Sequence, residues 1–428
     1  MIHYIKVRNF MSFKDEVCLD FEATDDKRLE DYHVVEMADG TRLLRFAVLY
    51  GANASGKSNL VNAIQFLSYY WRNVLGQNIG AHQFIFDKQT PNEPSEFEVG
   101  FYVGDNRYIY MLKIHGNNTD YEELILDNAE QEIFIARRER SDNHTKLTFN
   151  PNIIKLNDSV IELFSANCLA SMSFFAARQK INLPPLPHFD VVQKWVMESV
   201  LSPITHEMNL TSYWENRLIE DQNKELKNYL LDFIRKADFN IVDIEANIEY
   251  QTMHPLYQQS IAQDNRLSEQ QKAQLLNQKV QIIKTEFKHT VNGQNDNIYS
   301  LPKLFQSNGT LRTIAMGTII HDVLESNAFV AIDEIETSLH PELIEFIINQ
   351  FLDTVESRSQ MLITTHYAKL LDTVDDILRR DSIWFVEKHK NGSSELYSLI
   401  EFKGVDDMDH LHGAYMNGCF GALPHIKF

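Results

Sequence analysis

The segment Gly51-Ala52-Asn53-Ala54-Ser55-Gly56-Lys57-Ser58 spaces two glycines, a lysine and a serine as G-x-x-x-x-G-K-[ST]. That spacing suits a phosphate chain. The glycines let the backbone turn tightly so that its N–H groups point inward. Lys57 reaches the β- and γ-phosphates, and the Ser58 hydroxyl is placed to ligate Mg²⁺. A helix opening at Lys57 adds its positive end to the same anion. A second group lies far downstream, where the apolar run Phe329-Val330-Ala331-Ile332 ends in Asp333 and Glu334. Asp333 at a strand tip can hold the metal, and Glu334 is placed to act as general base on an attacking water. His366 follows another apolar strand, Met361–Thr365, at a height suited to the γ-phosphate. Ser307-Asn308-Gly309-Thr310 precedes an apolar helix and offers a hydroxyl, a glycine backbone and a helix start as a second anion pocket.

These residues need elements to carry them. Leu44–Tyr50 is a nearly continuous apolar run, as expected of a strand buried on both faces. Leu60, Ala63, Ile64 and Leu67 then recur at helical spacing. Tyr4–Phe10, Val17–Phe21, Glu96–Val103, Arg107–Leu112, Glu122–Leu126 and Glu132–Ile135 read as further strands, with Gly104-Asp105-Asn106 as a hairpin turn. From Ile153 to Gln294 the chain is polar, glutamine-rich and helical in character, with Leu267–Lys284 its clearest helix. The last ~130 residues return to an α/β pattern, with Pro341 opening a helix. The division expected is 1–150, a lobe with the phosphate loop, 151–295, a helical insertion able to bind a partner, and 296–428, a lobe with the remaining site residues.

The chain has 428 residues, 44% hydrophobic and 23% charged, with a net charge of −20. That is globular usage at a length favouring two lobes or an insertion. The acidic balance argues against a basic coat for non-specific nucleic acid or anionic membrane. Arg137-Arg138-Glu139-Arg140 is the visible candidate for a local basic groove. Cys18, Cys168 and Cys419 form no paired motif, which fits a reducing cytosol. No run of 18 apolar residues and no leader pattern is present, so a cytoplasmic protein without membrane association is expected.

With these pieces together the chain resembles ABC-type ATPases of the SMC/OLD group, and most closely the short OLD-like "AAA family" ATPases of bacterial phage-defence and abortive-infection operons. The resemblance rests on Ile5–Phe13 (IKVRNFMSF), Gly51–Asn59, Ser307–Thr310, Asp333–Pro341 (DEIETSLHP), Thr364–His366 and Ala414–Pro424, and so spans the chain. It implies an α/β P-loop head with a mixed sheet and a helical insertion. It implies ATP and Mg²⁺ held by Asn53, Ala54, Ser55, Gly56, Lys57, Ser58 and Asn59. It also implies a head-to-tail dimer or higher oligomer, in which Ser307 and Gly309 act on the partner's nucleotide. The signature reads SNGT rather than LSGGQ, and Gln83 and Gln179 are the candidates for the Q-loop glutamine. Only ~60 residues follow His366, too few for the C-terminal nuclease domain of full-length OLD proteins. Asp406, Asp407 and Asp409 read as a solvated acidic loop, with His410, His412 and Cys419 as an alternative metal set.

Two functions stay open at this level. One is an ATP-driven switch that controls a separate effector, a toxin or nuclease, in antiviral defence. The other is an SMC-like repair or chromosome ATPase acting directly on nucleic acid. A scaffold without turnover needs neither Glu334 nor His366.

Overall fold

The computed structural model describes residues 1–424 except 76–79, 129–130, 142–143, 206, 238, 265 and 292–296. The chain opens with β1 (Ile2–Arg8), β2 (Val17–Asp20), a turn of helix α1 (Glu30–His33), β3 (Val34–Glu36), β4 (Arg42–Leu44) and β5 (Phe46–Tyr50). Helix α2 (Lys57–Arg72) precedes β6 (Ser95–Val103), β7 (Asn106–His115), β8 (Asn118–Asp127), β9 (Glu132–Ser141) and β10 (His144–Phe149). Five helices follow: α3 (Asp158–Asn167), α4 (Phe174–Arg178), α5 (Phe189–Glu198), α6 (Leu210–Glu220) and α7 (Glu225–Lys236). Then come β11 (Ile241–Thr252), α8 (Pro255–Gln263), α9 (Glu269–Leu276), β12 (Lys279–Thr290) and β13 (Ile298–Pro302). The chain closes with α10 (Asn308–Glu325), β14 (Phe329–Ile332), α11 (Pro341–Leu352), β15 (Gln360–Thr364), β16 (Ile383–Lys388), β17 (Ser394–Ser398) and α12 (Leu411–Met416).

The chain divides into two units. The first holds residues 1–208, 322–337 and 344–428, the second 209–321 and 338–343. The division expected at 150/151 falls inside the first unit, and the one at 295/296 lies outside the described residues.

The first unit is an α/β assembly of two main sheets and the short antiparallel pair β3-β4. One has seven antiparallel strands in the order β10-β9-β8-β7-β6-β1-β2, and the other has the order β14-β15-β5-β16-β17. In the second sheet β14, β15, β5 and β16 run parallel, and β17 is antiparallel to β16. Every residue of β5, β14 and β15 is buried, which is why these strands read as unbroken apolar runs rather than alternating ones. Helix α2 is amphipathic, with Ser58, Asn62, Gln65, Tyr69 and Arg72 along its more exposed stripe. Leu60, Val61, Ile64, Leu67, Tyr70 and Trp71 join one core with β1, β5 and β7. Because β5, β14 and β15 are parallel, the loops after them emerge on one edge, the position where open α/β sheets hold ligands.

Two local expectations change. Leu44–Tyr50 is not one strand, because β4 ends at Leu44 and β5 starts at Phe46. The residue between is Arg45, fully buried, which donates to the carbonyls of Phe351 (3.2 Å), Leu352 (3.2 Å) and Tyr32 (2.9 Å) and so caps α11. Leu267–Lys284 is helical only over Glu269–Leu276, behind a Ser268/Gln271 capping box, and then becomes a strand. The segment 151–295 is therefore helical only in part. β11 and β12 pair antiparallel over their full lengths, with Ile248 opposite Ile283 and Ile244 opposite Phe287, and β13 adds a third strand. Val280, Ile282 and Ile283 are β-branched and find cross-strand partners, which overrides the helical spacing of their neighbours. Among the described residues no helix is long and apolar enough to cross a membrane.

Candidate nucleotide site

The loop Gly51–Gly56 joins the end of β5 to the start of α2, as the spacing requires. Ala54 (φ 61°) and Gly56 (φ 120°) are both left-handed, which turns the chain back on itself. Glycine is needed twice for space. A Cβ on Gly56 would lie 2.5 Å from Ser394 Oγ and 2.8 Å from Ser12 Oγ, and one on Gly51 would lie 2.5 Å from the Val386 carbonyl. The Asn59 N–H turns to the Gly56 carbonyl at 3.0 Å, while the N–H groups at the very start of a helix have no intrahelical acceptor and are open to an anion. Ser55 Oγ is buried and finds no partner among the described residues. Lys57 is 5% exposed and donates to the carbonyls of Gly51 (2.7 Å) and Ala52 (3.2 Å). Burial pulls its pKa down to about 8 against the upward pull of Glu336, Asp333 and Glu334. A buried ammonium held by loop carbonyls and by His366 is set to take an anion.

Two serines brace this loop. Ser394, at the start of β17, donates from Oγ to the Ser55 carbonyl (2.5 Å), its Oγ lies 2.8 Å from Ser12 Oγ, and its N–H donates to the Ser12 carbonyl (2.7 Å). Asn59 Nδ2 also donates to Ser12 Oγ, at 2.7 Å. Ser12 lies in the Ile5–Phe13 stretch that carries the family resemblance. Ser394 has no motif of its own, and only the pairing of β17 with β16 brings it to the loop.

The acids sit at the tip of β14. Thr364 Oγ1 donates to Asp333 Oδ1 at 2.6 Å and accepts the Glu334 N–H at 2.8 Å, so one hydroxyl fixes both residues. Glu334 has a left-handed backbone (φ 49°), an uncommon conformation for a glutamate that turns its side chain off the strand line. His366 Nε2 lies 3.2 Å from Lys57 Nζ, joining the end of β15 to the phosphate loop. Desolvation and then the Lys57 ammonium hold the imidazole below its ordinary pKa, so it is neutral near pH 7. Glu336 positions this end. Its carboxylate accepts the His366 N–H (2.7 Å) and the Thr365 hydroxyl (2.8 Å). Thr364 and Glu336 carry no spacing signal of their own, although both sit inside the conspicuous DEIE and TTH stretches.

The oxygen donors fit a hard cation. Ser58 is exposed at the loop, and the Thr364 hydroxyl takes only one oxygen of Asp333. Asn53 and Ala54 are exposed on the loop, and Gly56 is buried beneath it. Ser307 lies in the second unit. It caps α10 by accepting the Thr310 N–H at 3.0 Å, and a Cβ on Gly309 would lie 3.0 Å from the Ser338 carbonyl. Arg312, on the first turns of α10, keeps two buried guanidinium nitrogens without a partner among the described residues.

Of the Q-loop candidates, Gln179 contacts the Arg72 carbonyl at the far end of α2, about 22 Å along the helix from Lys57. Gln83 has a buried Nε2 without a partner among the described residues and follows His82, whose carbonyl accepts the Met11 N–H beside Ser12. The basic run does not form a free groove. Arg137 pairs with Glu123 (2.7 Å), Arg138 is fully buried against Glu122 (3.5 Å), and Arg140 faces Asp120 (3.7 Å), because β8 places acids opposite β9. His410, His412 and Cys419 do not converge. His412 pairs with Asp372 at 3.2 Å, and among the described residues only His3, Asp20 and Glu22 lie within metal-ligand distance of one another. Asp406 and Asp409 are exposed, as a solvated loop requires, and the side chain of Asp407 lies outside the described residues.

No curated protein matches this sequence. Solved structures similar to it include the Smc head bound to the C-winged helix domain of ScpA, at 13% identity and TM-score 0.44, covering 95% of this chain and 99% of that one. The SMC head domain from Thermotoga maritima is similar at 12% identity and TM-score 0.43, covering 93% and 98%. So is the Smc head domain with an extended coiled coil bound to the C-terminal domain of ScpA from Pyrococcus furiosus, at 13% and 0.44, covering 94% and 97%. Residues 46–372, well over half of the chain, match the family described as "AAA domain, putative AbiEii toxin, Type IV TA system". The chain belongs to that family.

Proposed function

We propose that this protein binds ATP with Mg²⁺ at residues 53–59, hydrolyses it with Glu334 as general base, and uses the cycle to switch an associated effector in antiviral defence. The observation that carries the reading is the convergence of three strand ends. Lys57 reaches His366, and Thr364 locks Asp333 and Glu334 on the neighbouring strand. Lys57 and the α2 N-terminus bind the phosphates, Ser58 and Asp333 hold the cation, and neutral His366 donates toward the γ-phosphate. The cation, when bound, neutralises charge on the β- and γ-oxygens. Water attacks the γ-phosphorus, its proton passes to Glu334, and the bond to the β-bridging oxygen breaks to give ADP and phosphate.

Ser307 and Gly309 complete the site from a second copy in this reading. Leu304 and Phe305, 87% and 69% exposed, lie three and two residues before Ser307 and form an apolar step that association covers. The toxin–antitoxin description of the family supports a defence or toxin–antitoxin setting, with a separate protein as the effector. Direct action on nucleic acid has less support, since each arginine of its candidate groove faces an acid.

Phosphate release and ATP binding test the chemistry together. Glu334→Gln keeps ATP affinity and loses about 10²–10⁴-fold in turnover, whereas Lys57→Ala loses binding by about 10–100-fold. Wild-type turnover in Glu334→Gln would remove Glu334 from the base role.

A further inference from the structure

Ile85 and Phe86 are adjacent, 69% and 68% exposed, and belong to the first unit. Single exposed apolar residues need no explanation. These two differ in how firmly they are held. Phe84 beside them is buried, its N–H donates to Asn9 Oδ1 at 3.0 Å, and its carbonyl accepts the Thr90 hydroxyl at 2.7 Å. Its ring meets the Phe86 ring edge-to-face at 5.7 Å. On the other side Asp87 is clamped by Lys14 at 2.7 Å and by the Gln89 N–H at 2.7 Å. The Phe86 ring also lies on the backbone of Gly392, where a Cβ would come within 2.8 Å of it. The aromatic face is thus fixed from both flanks and open to solvent.

Its place relative to the phosphate loop gives the face a use. Gly392 is two residues, at most about 7 Å of chain, from Ser394, and Ser394 is bonded to the Ser55 carbonyl. Lys14 is two residues from Ser12, bonded to Asn59. The ring therefore stands within about one nucleoside's reach of the residues that brace the phosphate loop, on the loops next to them. A rigid aromatic face at that distance is a stacking platform for a base.

We propose that Phe86, with Ile85 at its rim, is the platform on which the purine of the bound nucleotide stacks. The inference rests on the nucleotide-binding reading above and adds the base subsite to it. Stacking favours the larger purine over a pyrimidine and leaves the phosphates untouched, so base and phosphate binding separate cleanly.

Calorimetry with Mg-ADP, Mg-UDP and Mg-pyrophosphate on wild type, Phe86→Ala and Phe86→Tyr tests it. Phe86→Ala weakens ADP about tenfold and shrinks the ADP-over-UDP preference, while pyrophosphate binds as before and Phe86→Tyr stays within about twofold of wild type. Unchanged ADP affinity in Phe86→Ala overturns the proposal, and so does an equal loss for pyrophosphate, which would mark a displaced loop. If wild type binds neither ADP nor pyrophosphate, the nucleotide reading itself fails and takes the platform with it.

Discussion

Lys57 carries a consequence that depends only on charge. In the free protein its pKa is lowered to about 8 from the ordinary 10.5, because burial outweighs the carboxylates nearby. Phosphates favour the charged form, so binding raises the value again. Above pH 8 the free lysine is partly neutral and nucleotide binding takes up a proton. Affinity falls as pH rises through 8 toward 10.5, at a limiting slope of about tenfold per unit, and this group adds no slope below pH 8. Calorimetry of ADP at pH 8.5 in buffers of different ionisation heat should show net proton uptake, and Lys57→Arg should abolish it. Uptake that persists in the arginine variant would assign the proton elsewhere. Lys57, Asp333, Glu334 and His366 were all legible from residue type and position, because their chemistry forces their spacing. Thr364 and Glu336 were not. They act through one hydroxyl and one carboxylate that link the ends of the parallel strands β14 and β15, and nothing in their own spacing shows that connection.

At the level of elements, the parallel strands β5, β14 and β15 were readable as apolar runs because both of their faces are covered. Their order was not readable, since β5 pairs with β15 more than 300 residues away. Arg45 shows the same limit on a small scale. A buried cation that interrupts an apolar run makes sense only once the end of α11 is beside it. The insertion misled for a different reason. Glutamines and lysines at helical spacing dominate Leu267–Lys284, while the strand that claims its second half lies opposite β11. The brace under the phosphate loop is the clearest case, because Ser12 and Ser394 come from opposite ends of the sequence. It makes Gly56 irreplaceable. Gly56→Ala meets both serine hydroxyls inside van der Waals distance and adds about 1–3 kcal/mol of backbone strain at φ 120°. Thermal melting should fall and ADP affinity should drop more than tenfold. Ser394→Ala in the same chain restores only part of it, because the φ is unchanged. Wild-type ADP affinity in Gly56→Ala would show that the loop is not held as described.

For the whole molecule, the phosphate loop and both acids lie in one unit and Ser307 and Gly309 in the other. The proposed cycle turns on what a second copy supplies. Nucleotide trapped in a hydrolysis-deficient protein should stabilise the closed pair, with Leu304 and Phe305 covered. The decisive measurement is the solution mass of Glu334→Gln by light scattering, with and without Mg-ATP, beside the same variant carrying Ser307→Arg. Glu334→Gln should gain whole-subunit mass on adding Mg-ATP, and the Ser307→Arg form should not. A Glu334→Gln protein that binds ATP and keeps one mass throughout would contradict a site completed by a second copy.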